Sequence, residues 1–291
     1  MKVNEFIKDE LIYKSKSLIK NPIISIILPT YCRGDSGFLK RAIKSILEQK
    51  FTDWELIIVD DGSKDSTRAI VEKFMKQDNR IVYIRNEINS GLPAIRVNQG
   101  IIHARGKYIA YQFDDDIWYS NMLEDLYNEI IQRKENTLVY GKAEFVNSKT
   151  MEKNILGREF DCRIIKKGNI IPNNAVLHSK DIPYLYGGYD CHIALRRLCD
   201  WDLWRRWSKH IEFIYVNKIV TIVERGHELS LSNTCKMYRN IVDERDKSDM
   251  TKILSLYNIM EYEIDDIEIV NEYKLKKVIY EDILSWYENY K

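Results

Sequence analysis

Apolar residues along this chain recur with two alternating periods. Ile23–Leu28 is a short β-branched run closed by Pro29, which predicts a buried strand. Leu39, Ala42, Ile43, Ile46 and Leu47 then fall on one face of a helix over Phe38–Leu47. Leu56–Val59 predicts a second strand, stopped by Asp60-Asp61-Gly62-Ser63. Asp65-Ser66-Thr67 reads as a helix start, with Ile70, Val71 and Phe74 inward. Ile81–Ile84 predicts a third strand, the segment from Gly91 through Ala104 a helix, and Tyr108–Phe113 a fourth strand ending in Asp114-Asp115-Asp116. Short apolar strands alternating with helices imply an α/β fold, a parallel sheet covered on both faces. Ligands of such sheets bind beyond the carboxyl ends of the strands. Thr30-Tyr31, Asp60-Asp61 and Asp114–Asp116 are therefore expected to converge.

Past residue 119 the pattern predicts a helix over Met122–Ile131, a strand over Leu138–Val146 and a helix over Asp202–Trp207. Residues 240–291 show helical spacing with heavy charge, and residues 1–20 read as another helix packed on the outside.

Composition narrows the class. With 45 Lys and Arg against 44 Asp and Glu, the 291-residue chain has a formal charge of +1, so no global field draws it to nucleic acid. No apolar run approaches the roughly 18–20 residues of a membrane span. The first 20 residues mix Lys, Asp and Glu into their apolar positions, unlike a secretory segment. Five cysteines without a Cys-x-x-Cys pair indicate neither a zinc site nor a disulfide framework, and their odd number fits a reducing compartment. A cytoplasmic globular protein is expected.

Three consecutive aspartates are ordinarily a solvated turn. Directly after a buried strand their mutual repulsion and desolvation are costly without a cation. A hard divalent ion with oxygen ligands, Mn2+ or Mg2+, solves that problem, and a diphosphate completes its shell. Asp60-Asp61 has two even readings: a turn with a helix cap, or Asp60 as acceptor for a base N–H or ribose hydroxyl.

The stretch Ile23–Trp118 resembles glycosyltransferase family 2, the inverting nucleotide-diphospho-sugar transferases of GT-A fold. The resemblance rests on Ser25-Ile26-Ile27-Leu28-Pro29-Thr30-Tyr31, Ala42–Gln49, Glu55–Thr67, Asn98-Gln99-Gly100 and Gly106–Ala110, in that order. It implies a mostly parallel sheet with a nucleotide-sugar-binding half (22–118), an acceptor-binding half (119–239), and helical extensions at 1–21 and 240–291. It places Pro29, Thr30, Tyr31, Arg33, Asp60 and Asn98 at the donor, and Asp114–Asp116 at the family's metal-binding Asp-x-Asp element. In the spore-coat polysaccharide type, which this element resembles, an Asp-Asp pair follows a non-acidic residue, here Phe113. Asp115 is then the metal ligand, Asp114 lies on the sugar or ribose, and Asp116 is a further metal candidate. Arg96, separated from Asn98, departs from the usual adjacent Arg-Asn pair.

Inverting transfer needs a base for the attacking hydroxyl. Gly187–Asp190 and Cys199–Arg206 resemble the acceptor-side pattern, in which an acidic residue at a helix start is that base. Here it is Asp200, with Cys199 where an acidic neighbour is common. Its other reading is a helix N-cap, with Asp202 structural in the first turn. Arg225-Gly226-His227 resembles a late element that brings His227 near the metal. His178 is a weaker candidate facing the acceptor half, and core packing is the default for Trp201 and Trp204. The expected partners are a nucleotide-diphosphate sugar, leaning to UDP, and a hydroxyl acceptor on a glycan, protein or lipid-linked saccharide. Nucleic acid and a transmembrane segment are not expected, and homo-oligomerisation is left open. A nucleotidyltransferase and a silent sugar-nucleotide-binding scaffold are the alternatives.

Overall fold

A computed structural model describes residues 10–18, 21–226 and 237–247. Its strands are β1 (Leu11–Lys14), β2 (Ile24–Thr30), β3 (Trp54–Asp60), β4 (Ile81–Arg85), β5 (Tyr108–Tyr111), β6 (Asp116–Trp118), β7 (Thr137–Asn147), β8 (Lys153–Leu156), β9 (Val176–Ser179) and β10 (Glu212–Arg225). The helices are α1 (Phe38–Leu47), α2 (Thr67–Met75), α3 (Pro93–His103), α4 (Met122–Ile130), α5 (Cys162–Ile165), α6 (Asp181–Tyr186), α7 (Cys199–Trp207) and α8 (Arg239–Lys247).

One sheet runs in the order β1-β4-β3-β2-β5-β9-β7-β10-β6, with β8 paired to β7. The expected parallel unit is β4-β3-β2-β5, and β7 with β10 is also parallel. Between these units β9 is antiparallel to both β5 and β7. Every residue of β2 and β3 is buried, as continuous apolar runs between two layers of helices must be. Ile27, Ile57, Val59 and Ile84 pack with α3 and α7 on one face. Ile26, Leu28, Leu56, Ile58 and Tyr83 pack with α1 and α2 on the other. Gly100 lets α3 lie close to β2, since a Cβ there would come within 2.4 Å of Ile27 Cγ2.

Several expectations are corrected. Pro29 does not end β2. Gln112 N–H donates to Ile27 O on the β5 side and the β2–β5 ladder stops at Ile27, so the missing N–H of Pro29 falls beyond that ladder. Leu11–Lys14 is not helical but an edge strand antiparallel to β4. It covers an otherwise unpaired edge, and Tyr13 stacks on Tyr83 with centroids 5.8 Å apart. The fourth strand stops at Tyr111, and Asp116 does not share one loop with its neighbours: it opens β6, antiparallel to β10. Residues 1–9, 19–20 and 248–291, on which the rest of the two extensions falls, lie outside the described residues. Among the described residues no helix is long and apolar enough to cross a membrane.

Candidate active site

Parallel register sets the first part of the site. Thr30 lies opposite Asp60, and Asp60 opposite Arg85, so three strand ends present a lateral row of polar side chains on one face. The loop after β2 is tied to the start of α2. Cys32 N–H donates to Ser63 Oγ at 2.8 Å, and Gly34 N–H to Asp65 Oδ2 at 2.9 Å and Thr67 Oγ1 at 3.0 Å. Those bonds hold Tyr31, which is 45% exposed, and Arg33 over the end of β5. There Tyr31 N–H donates to Asp114 Oδ2 at 3.3 Å and Arg33 Nε lies 3.4 Å from Asp114 Oδ1. The Thr30 hydroxyl faces the same carboxylate. Thr30, Tyr31, Arg33 and Asp114 are therefore brought together as expected.

Asp60 and Asn98 are not at the surface of this site. Asp60 is fully buried and both its oxygens are engaged, by Ser63 N–H at 2.8 Å and by the Tyr83 hydroxyl at 2.5 Å. It braces the strand end from beneath. Asn98 is also fully buried: Nδ2 donates to Tyr189 O at 2.8 Å and Oδ1 accepts Tyr189 N–H at 3.0 Å. It ties α3 to the segment between α6 and α7. Pro29 is buried within β2. Arg96 pairs with Asp61 at 2.6 Å, both buried, and so holds the turn after β3 to the start of α3.

The acidic triplet divides. Asp114 and Asp115 are partly exposed beyond β5. Burial and the adjacent Asp115 charge push the Asp114 carboxyl up to about 7, against the opposing pull of Arg33. Two crowded carboxylates of this kind are a donor set that fits a hard cation. Asp116 is buried, and its Oδ2 accepts from Asn174 Nδ2 at 2.7 Å. Burial holds its carboxyl well above the usual range. His227 lies outside the described residues.

On the other side α7 starts at Cys199 with Leu198 as its N-cap, so Asp200 is a first-turn residue and not the cap. Asp200 Oδ1 accepts Trp201 N–H at 2.8 Å and Oδ2 accepts Asn169 Nδ2 at 2.8 Å. Burial raises its carboxyl to about 6, near the range a general base needs. Asp202 is structural, paired with Arg206 at 2.8 Å. Trp201 donates to Ile165 O and Trp204 is fully buried, so both belong to the core. His178 is a core residue too. It bonds the Tyr111 hydroxyl at 2.7 Å, and burial pulls it down to about 4.

The segment 169–174 connects the two sides. Asn169 holds Asp200, Asn174 holds Asp116, and Asn173 Oδ1 accepts the Tyr189 hydroxyl at 2.5 Å. Sequence reasoning missed these asparagines. The only signal was polar Asn173-Asn174 directly before an apolar strand, which reads equally as a turn.

Comparison with known proteins agrees with this fold. A profile of Glycosyl transferase family 2 matches residues 25–197, and the chain belongs to that family. Glycosyltransferase GlyG of Streptococcus pneumoniae is 40% identical over 119 residues, 41% of this chain and 38% of that protein. The match spans 36%, 38% and 43% of the length of three such curated relatives. Among solved structures, residues 1–349 of Staphylococcus aureus TarS in complex with UDP-GlcNAc superpose with a TM-score of 0.62 at 17% identity, covering 86% of this chain and 72% of that one. A Pyrobaculum calidifontis mannosyltransferase in complex with GDP-Man and Mn2+ gives 0.57 at 14% identity, covering 78% and 64%. The fold is GT-A-like.

Proposed function

We propose that this protein transfers a sugar from a UDP-sugar to a hydroxyl acceptor, with inversion at the anomeric carbon and Asp200 as the base. The observation that carries the reading is the bridge 169–174, anchored to Asp200 by Asn169 and to Asp116 by Asn174. Five residue steps span at most about 18 Å when extended, which limits how far apart the bridge can hold its two anchor points. Family membership supports a nucleotide-sugar donor, and the UDP-GlcNAc held by TarS supports the uridine nucleotide.

Thr30, Tyr31 and Arg33 border the donor beside Asp114. A divalent ion, Mn2+ or Mg2+, would be held by Asp115 with Asp114. Among the described residues no three His, Cys, Asp or Glu side chains converge as a ready metal site, so the substrate diphosphate is expected to complete the shell. When bound, such an ion neutralises charge developing on the departing diphosphate. The Arg33 guanidinium adds positive charge at the same end. Asp200, raised by burial, takes the proton from the acceptor hydroxyl as that oxygen attacks opposite the diphosphate. The helix start and Asn169 fix its orientation. No covalent enzyme intermediate forms.

The test is Asp200→Asn. Donor binding should persist while transfer falls by about two to four orders of magnitude, and the released product of the wild type should be nucleoside diphosphate. Ordinary turnover by the variant would remove Asp200 from this role, and pyrophosphate release would point to nucleotidyl transfer.

A further inference from the structure

The row of strand ends continues one residue past those the sequence singled out. Arg85 closes β4, in register with Asp60 on one side and Leu11 on the other. Its guanidinium has no hydrogen-bond partner among the described residues, and its Nε is buried. The adjacent carboxylate is already engaged: Asp60 receives the Tyr83 hydroxyl and Ser63 N–H. A guanidinium carries five donors and no acceptor; that of Arg85 is partly exposed, and its covered Nε has no acceptor within the fold. An arginine placed so, beside a carboxylate it does not pair with, is matched to an acceptor from outside the chain.

Its distance from the acidic element identifies that acceptor. The strands run β5-β2-β3-β4, and neighbours lie about 4.8 Å apart. Arg85 is thus about 14 Å, three such steps, from the Asp114 end, of the order of an extended nucleoside diphosphate. With the diphosphate at Asp114 and Asp115, the base falls at Arg85.

We propose that Arg85 reads the base of the donor, its guanidinium donating to the 4-oxo group of uracil. The inference rests on the donor assignment above and adds to it the residue that selects the nucleotide. Uracil offers oxo acceptors on both sides of its ring N–H, whereas cytosine replaces one with an amino donor, which faces an arginine unfavourably. A site built to bond a particular group rejects the analogue without it strongly.

Calorimetric titration of UDP and CDP, each with Mn2+, into wild type, Arg85→Gln and Arg85→Lys tests this. Wild type should prefer UDP by about tenfold or more. Arg85→Gln should lose about tenfold for UDP with little change for CDP, and Arg85→Lys should recover part of the preference. Equal losses for both nucleotides, or none, overturn the base-reading role while leaving the donor assignment standing. Failure of wild type to bind either nucleotide overturns both. If Arg85→Gln does not fold, wild-type titration with a UDP analogue lacking the 4-oxo group decides: about tenfold weaker binding supports the role, and undiminished binding overturns it.

Discussion

The carboxamide of Asn98 both donates to Tyr189 O, at 2.8 Å, and accepts Tyr189 N–H, at 3.0 Å. One side chain on α3 thereby pairs with the backbone ahead of α7 as a neighbouring strand would. Removing it leaves a buried N–H and carbonyl without these partners. Asn98→Ala should cost about 2–3 kcal/mol, read as a lower denaturation midpoint. An unchanged midpoint would show that other contacts hold these two segments together.

The raised carboxyl of Asp200 sets a pH dependence. In its proposed role as base it acts only when ionised, so transfer should fall about tenfold per pH unit below about 6. Stability runs the other way. A carboxyl raised on folding disfavours the native state once pH rises past its unfolded value, and the loss is complete above its folded value. Asp200→Asn should therefore stabilise the fold more at pH 8 than at pH 4, by at most about 3 kcal/mol, read from denaturation midpoints at the two pH values. A larger gain at pH 4 would contradict this account of the group.

Asn169 lowers the Asp200 carboxyl by donating to it. Asn169→Ala should move the acidic limb of the pH–rate profile upward and reduce kcat by about tenfold or less, well short of the loss in Asp200→Asn. A lower rate with an unmoved limb would leave Asn169 with a packing role alone.

The divided triplet predicts a contrast. Asp115→Ala should abolish metal-dependent donor binding. Asp116→Asn, which keeps a polar side chain beside Asn174, should retain donor affinity within about fivefold, since a lost neutral hydrogen bond is worth only about 1 kcal/mol. Titration with UDP and Mn2+ distinguishes the two, and equal losses would restore Asp116 as a metal ligand.

Asp61 and Arg96 form a buried pair at 2.6 Å. Arg96→Met leaves the carboxylate buried without its cation and should cost about 3–5 kcal/mol. A denaturant midpoint close to wild type would show that the Ser90 and Gly91 N–H bonds to Asp61 suffice.

The amino half was legible because its signals are local. Strands as short and apolar as Ile24–Thr30 and Trp54–Asp60 have one stable arrangement when helices alternate with them, and the chain leaves each at its carboxyl end. That fixed which polar residues meet, including Thr30, Tyr31 and Asp114. That Asp200 lies at a helix start was legible too, from the pattern that follows it. Leu11–Lys14 was not, because an edge strand takes its conformation from the neighbour it pairs with.

What the residues do once they meet was decided by the tertiary structure. Sequence placed Asp60, Asn98 and Asp116 at ligands; folding gave each an internal partner, in Tyr83, Tyr189 and Asn174. It also left Arg85, which has no motif, beside a carboxylate already engaged. Periodicity reports which face a side chain leaves from. Whether a polar group there is left for a ligand depends on donors and acceptors arriving from distant parts of the chain, and only the folded arrangement supplies those.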